Sequence, residues 1–441
     1  YITHVYNAIG APKLKIYTDP LYTKVKKDAV QEALDEHKKK QGTHRFHNLD
    51  LQFWVDEFDW MKDMNVSVQD KDYYLGLQRK GRGGKVRMSA EDRNTAFELF
   101  SYYDSVRKAK GLGDWIDQSL YIIRNGKRIP DNLKFDHILI DEAQDLSLTQ
   151  MMAAMMLFRK DMIVAMDMNQ RIFDKQWTPK LLGIETTTKK LTKSMRTTKQ
   201  IDNLAESIRQ KNEGILDADD KAVRAIPERE GPIPQLVHLE DVASEKKFVT
   251  EQVKAYLKQN NKISIGIIAS RNLQINTYAS WMTDAGIPHE IIEKNSTFSM
   301  SKPGVKIVNV YNAKGLEFSR VIIPQFIEGN FPYYHKTDDE EEMQFFLAKC
   351  RNLVYVGMTR AQFSLTITYN GAKGSRFIGE MDSQYYEAVG LPLVYDSGTG
   401  SGTGRTSNNE EIKLPPTVTV EQAEDGKSLN DFFKEKGFEV I

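Results

Sequence analysis

Disulfide bonds cannot hold this chain together, because its 441 residues include a single cysteine, Cys350. The same scarcity excludes a cysteine-rich zinc site and fits a reducing compartment, so a cytoplasmic protein is expected. No apolar run approaches the roughly 20 residues of a membrane-spanning helix, and no basic-then-apolar leader opens the chain. The expectation is a soluble protein with no membrane partner. An excess of one charge is also missing: 61 Lys and Arg stand against 61 Asp and Glu, so any pull on nucleic acid must come from a local patch. Tyr1 stands where an initiator Met would, and a missing upstream segment is expected. Finally, no Gly-x-x-x-x-Gly-Lys-Ser/Thr occurs anywhere. Gly84-Lys85 mimics the end of one, but no Gly stands five residues before Gly84, and Val86 fills the hydroxyl position.

What is present is length enough for two or three domains, each with a core. The most informative stretch is Phe135-Asp-His-Ile-Leu-Ile-Asp141-Glu142-Ala-Gln144-Asp145. Its apolar run, residues 137–140, reads as a strand buried on both faces of a parallel sheet, and chemistry in such sheets gathers at the carboxyl ends of strands. An Asp there suits Mg²⁺, and a Glu one residue on can orient an attacking water. A helix should follow Asp145, then a second apolar strand at residues 162–166 ending in Asp167, Asn169 and Gln170. Strand, helix, strand is a βαβ unit with both polar ends at one sheet edge.

Upstream, a strand at residues 13–17 precedes a helix at 21–40 and an amphipathic aromatic helix from Leu51 to Trp60. The span 73–87 combines Arg79, Lys80, Arg82, Lys85 and Arg87 with glycines and tyrosines, which reads either as a flexible loop following a phosphate backbone or as an ordinary solvated loop. Helices are expected at 90–110 and 115–124. A domain boundary falls at 228–234, after which strands at 235–239, 263–269, 289–293, 305–310, 320–325 and 364–369 alternate with helices at 245–259, 272–285 and 340–359. That alternation leaves no room for a separate insertion between Ser270 and Val305, so accessory mass is expected in the helices between Asp50 and Arg124. The Ser397-Gly-Thr-Gly repeat is a flexible linker, and residues 428–438 suggest one short helix.

Taken together, the motifs resemble those of the UvrD/Rep-type superfamily I DNA helicases, from about Tyr73 to Ile378. The similarity rests on Ile140-Asp-Glu-Ala-Gln-Asp145, Met166-Asp167-Met-Asn-Gln170-Arg-Ile-Phe173, Leu191-Thr-Lys-Ser-Met195-Arg196, Asn309-Val-Tyr-Asn-Ala-Lys314-Gly315-Leu-Glu317-Phe318 and Leu353-Val-Tyr355-Val-Gly-Met-Thr359-Arg360-Ala361, in family order. The resemblance implies an α/β fold of two RecA-like parallel-sheet motor domains of the P-loop NTPase type, with a helical accessory insertion in the first. The implied divisions are 1–125, part of the first motor domain plus the accessory subdomain; 126–230, the rest of the first; 231–395, the second; 396–427, the linker; and 428–441, the terminal helix.

The resemblance further implies an ATP-dependent helicase or translocase moving 3′ to 5′, with ATP and Mg²⁺ as cofactors and single-stranded DNA or DNA junctions as partners. By that likeness Asp141 holds the metal, Glu142 orients water, Gln170 senses the γ-phosphate, and Arg196 and Arg360 neutralise it as charge develops. Asp167, Gly315 and Glu317 are the implied nucleotide contacts, Glu317 at the sugar. Phe173 and Trp177 are available to stack on bases, or equally to fill the core. Three departures touch this picture, the first two being that Met195 replaces a Tyr that stacks on adenine and that Met166 replaces a Gly. The third is the missing phosphate loop, expected to have been lost by truncation. The rival reading is a nucleic-acid-binding or regulatory module that kept the fold and lost the nucleotide machinery.

Overall fold

The computed structural model describes residues 1–15, 21–77, 88–167, 177, 182, 189, 191–212, 224–293, 303–334, 340–371 and 374–390. The expectations for Arg79, Lys80, Arg82, Lys85, Arg87, Gln170, Phe173, the linker and the terminal helix lie outside the described residues. Among those described, no helix is long and apolar enough to cross a membrane.

Among the described residues six α-helices come first: α1 (Ile2–Ala8), α2 (Leu21–Gln41), α3 (Leu51–Asp63), α4 (Lys71–Gly76), α5 (Ala90–Ala109) and α6 (Trp115–Arg124). Local chemistry sets several of their starts. Ser89 and Asp92 close a capping box on α5, and Asp114 and Asp117 do so on α6. The aromatic face of α3 is core, with Trp54, Phe58 and Met61 packed against Phe100 and Tyr103 of α5. At the edge of that core lies a buried charge network. The Lys62 ammonium sits 2.6 Å from Asp114 and 2.8 Å from Asp117, so one cation ties α3 to the two carboxylates that cap α6.

The acidic strand is β1 (Phe135–Ile140), joined through α7 (Leu148–Met155) to a parallel β2 (Phe158–Val164). The βαβ reading therefore holds, but β1 is not buried on both faces. Its residues alternate between exposed and half-buried, and Leu139 is 74% exposed and Ile163 62%. The reason is cover: among the described residues this sheet has two strands only, and a parallel sheet needs layers on both faces to be enclosed. Next come the short β3 (Lys193–Ser194), α8 (Lys199–Arg209) and β4 (Ile226–Pro227), with β3 and β4 paired in parallel.

The remaining strands and helices form a second α/β unit. β5 (Gln235–Leu239), α9 (Val242–Gln259), β6 (Ser264–Ala269), α10 (Asn272–Asp284), β7 (His289–Ile292), β8 (Gly304–Asn309), β9 (Phe318–Ile323), α11 (Glu340–Met358), β10 (Ala361–Asn370) and β11 (Glu387–Gly390) follow in order. All seven strands run parallel in the order β11-β5-β10-β9-β6-β8-β7. Apolar layers cover both faces, one shared with α8 and α11 and the other with α9 and α10. That is why these strands read as nearly unbroken apolar runs. The sheet is tight enough at Gly266 that a Cβ there would run into the Phe318 ring. A buried carboxylate, Glu245 of α9, accepts from the Gln325 N–H at 2.8 Å and from the side chains of Thr368 and Asn370, locking the helix to the carboxyl edge of the sheet. Between Ser270 and Val305 the described residues form α10 and β7, both parts of this unit rather than a separate insertion.

Candidate functional site

The carboxyl end of β1 turns sharply. Glu142 takes a left-handed conformation, with φ 52°, at a non-glycine position, a strain of about 1–3 kcal/mol that surrounding contacts must hold. They do so from three directions. The Glu142 N–H donates to Asp141 Oδ1 at 2.8 Å. Gln144 donates from Nε2 to Glu142 Oε2 at 2.6 Å, and its Oε1 accepts the Asp167 N–H at 3.0 Å, coupling the ends of β1 and β2. The third contact crosses to the second α/β unit: Lys314, in the turn after β8, places Nζ 3.3 Å from Glu142 Oε2 and 2.6 Å from Asp145 Oδ1. Lys314 is 7% exposed at its side chain, so the bridge is largely shielded from solvent. Lys314, Gln144 and Asp145 carry this geometry and are not among the expected site residues. The signal was their place inside the motifs already quoted.

Arg196, after β3, donates from Nε to Glu317 Oε1 at 2.8 Å, and Gln362 donates to the other oxygen of Glu317 at 2.9 Å. The expected phosphate-binding cation and the expected sugar-binding carboxylate thus neutralise one another. Arg360 lies fully buried behind them. Its Nε donates to the Val356 carbonyl at 2.9 Å, with longer contacts of 3.3 Å to the Leu316 carbonyl and the Thr359 hydroxyl. Burial first, and then the nearby Arg196 cation, pull the Arg360 guanidinium down to about 10 against the attraction of Glu317 and Glu142, so it stays charged at neutral pH. Those influences bring Glu142, Arg196, Glu317 and Arg360 into one electrostatic neighbourhood.

The other expected residues fall as follows. Asp141 is exposed at the strand end, with one oxygen engaged by the Glu142 N–H. One such carboxylate fits Mg²⁺, which keeps several waters and draws further ligands from substrate phosphates. Gly315 adopts φ 77°, the left-handed region that favours glycine, in the turn carrying Lys314 and Glu317. Met195 is 83% exposed beside Arg196. Of the two readings for Trp177, the structure places it in the core. It is 7% exposed, and its indole N–H donates to the Ala143 carbonyl at 3.1 Å, leaving little ring face for a base. It buttresses the turn that holds Glu142.

Comparison with known proteins gives matches in both halves of the chain. A model of the UvrD/REP helicase N-terminal domain matches residues 3–178, and one of the UvrD-like helicase C-terminal domain matches residues 293–372. DNA helicase II of Escherichia coli (strain K12) is 32% identical over 139 residues, 29% of this chain and 19% of that protein. ATP-dependent DNA helicase PcrA of Bacillus subtilis (strain 168) is 26% identical over 195 residues, 36% of this chain and 26% of that protein. ATP-dependent DNA helicase Rep of Buchnera aphidicola subsp. Baizongia pistaciae (strain Bp) is 33% identical over 97 residues, 20% and 14% respectively. The aligned part therefore spans a quarter or less of most of these relatives' length.

Proposed function

The chain belongs to the UvrD/Rep-type helicase family, and within it we propose an ATP-driven motor that moves 3′ to 5′ on single-stranded DNA. Its hydrolytic site draws on both α/β units, and its phosphate loop is supplied from outside these 441 residues. The observation that carries this reading is the Lys314 bridge, which brings the second unit's turn onto Glu142 and Asp145 of the first. An ATPase that converts hydrolysis into movement needs such a contact, made or broken as the nucleotide state changes.

Each residue then has a task. Asp141 would hold Mg²⁺, and the metal would neutralise charge on the β- and γ-phosphates. Glu142 orients and deprotonates the attacking water. Arg196 and Arg360 stabilise charge developing on the γ-phosphate, and Glu317 holds the sugar once Arg196 has left it. The resting ion pairs are therefore place-holders: anionic substrate competes with Glu317 for Arg196, and relieving Lys314 from Glu142 frees the carboxylate. Arg360 must exchange its carbonyl partners to reach a phosphate, which couples its arrival to a shift of the α11–β10 turn. The 3′-to-5′ direction is tested by joining a phosphate-loop segment to the chain and following strand displacement on duplexes with a 3′ or a 5′ single-stranded tail. The expected result is displacement of the 3′-tailed substrate with ATP present; displacement confined to the 5′-tailed one would refute the direction.

A further inference from the structure

The helical half holds a second charged feature that the ATPase chemistry does not use. A cavity of about 250 Å³ opens between the α3–α4 turn, α5 and α6, near the lower end of sites that take small molecules, roughly 300–1,000 Å³. Four cations line it, Lys62, Arg107, Lys108 and Arg124, against one carboxylate, Asp104. Ser67 and Gln69 add neutral polar groups to the wall.

The pairing inside this wall is incomplete. Arg107 spends its terminal nitrogens on Asp104 at 2.5 Å and Asp117 at 2.9 Å, and among the described residues its buried Nε–H has no partner. Lys108 shares Asp104 at 2.6 Å, and exposed Arg124 makes no ion pair among the described residues. Asp104 and Asp117 answer Arg107, Asp104 also answers Lys108, and Asp114 and Asp117 hold Lys62, so Arg124 at the rim leaves the wall positive.

We propose that this cavity binds a small phosphate-bearing anion, held by Arg107, Lys108 and Arg124 with Ser67 and Gln69 at its edge. Arginine forks and an ammonium suit a tetrahedral oxyanion with several acceptor oxygens. The size selects one or two phosphoryl groups and not a run of polynucleotide, which would need an open groove. The inference is independent of the helicase reading, since none of these residues belongs to the Glu142 site.

The test is isothermal titration of the 441-residue chain with orthophosphate and separately with pyrophosphate at fixed ionic strength, for wild type and for the double variant Lys108→Gln/Arg124→Gln. Both positions lie at the exposed rim, and Lys62 and Arg107 keep their buried partners, so the variant should retain the wild-type melting temperature without ligand. Orthophosphate or pyrophosphate binding weakened about tenfold or more in the variant is expected, given the charge-assisted bonds removed. Equal binding by both proteins, no binding by either anion, or binding of a single-stranded oligonucleotide alone at this site would overturn the proposal.

Discussion

Replacing Glu142 with Gln, in a chain joined to a phosphate-loop segment, is expected to reduce DNA-stimulated ATP hydrolysis by about 10²–10⁴-fold, the usual contribution of a positioned acid–base group, while ATP binding persists. The amide keeps the size of the carboxylate and can still meet Gln144, but it cannot take a proton from water. The fold should not suffer, because Lys314 retains Asp145 at 2.6 Å. Asp141, which carries the metal contact in this account, is untouched. Single-turnover phosphate release and a fluorescent-nucleotide titration separate the two effects. A variant that hydrolyses at the wild-type rate would remove Glu142 from the mechanism, and one that loses nucleotide binding in parallel would make it a binding residue.

The largest stability effect is expected at Lys62. Lys62→Met removes the cation that Asp114 and Asp117 share at 2.6 and 2.8 Å and leaves buried carboxylates short of charge, a loss of about 3–5 kcal/mol. The effect carries a pH signature. In the wild type, burial pushes the Asp114 carboxyl up, but Lys62 and Lys26 outweigh it and hold it well below the usual carboxylate range. A folded-state value below the unfolded one adds stability that is fully present above the unfolded value of about 4 and lost as pH falls through the folded value. Without Lys62 the burial effect gains ground, so the deficit of the variant should be largest near neutral pH and shrink on acidification. Urea midpoints at several pH values read this directly. A pH-independent deficit would mean that lost packing, not charge, is responsible.

Much of the second α/β unit was legible because strands covered on both faces leave unbroken apolar runs, and β5 falls on the expected residues. The same rule misled at β1, where an apolar run implied two covered faces. Whether a strand is covered depends on neighbours that its own sequence does not encode. The helix α8 is not among the expected elements, although Thr198 caps it and Ile201, Leu204, Ala205 and Ile208 form its buried stripe. Those are ordinary helix signals.

At the site, residue types pointed to chemistry, but pairings were out of reach. Lys314 meets a carboxylate 169 positions away, and nothing local marks that partner. Nor could the motif around Arg360 show that its guanidinium is committed to backbone carbonyls. Trp177 stood between core and base stacking until its indole N–H was placed on Ala143.

The Glu142, Lys314, Arg196 and Arg360 constellation is proposed as an ATP-hydrolysing site that needs a phosphate loop these 441 residues do not contain. Phosphate release by the 441-residue chain alone, with Mg²⁺ and ATP, with and without single-stranded DNA, tests it most directly. Negligible release under both conditions is predicted, followed by DNA-stimulated turnover once a phosphate-loop segment is joined. Turnover by the chain alone within the roughly 1–10³ s⁻¹ usual for enzymes, or none after the segment is supplied, would contradict it.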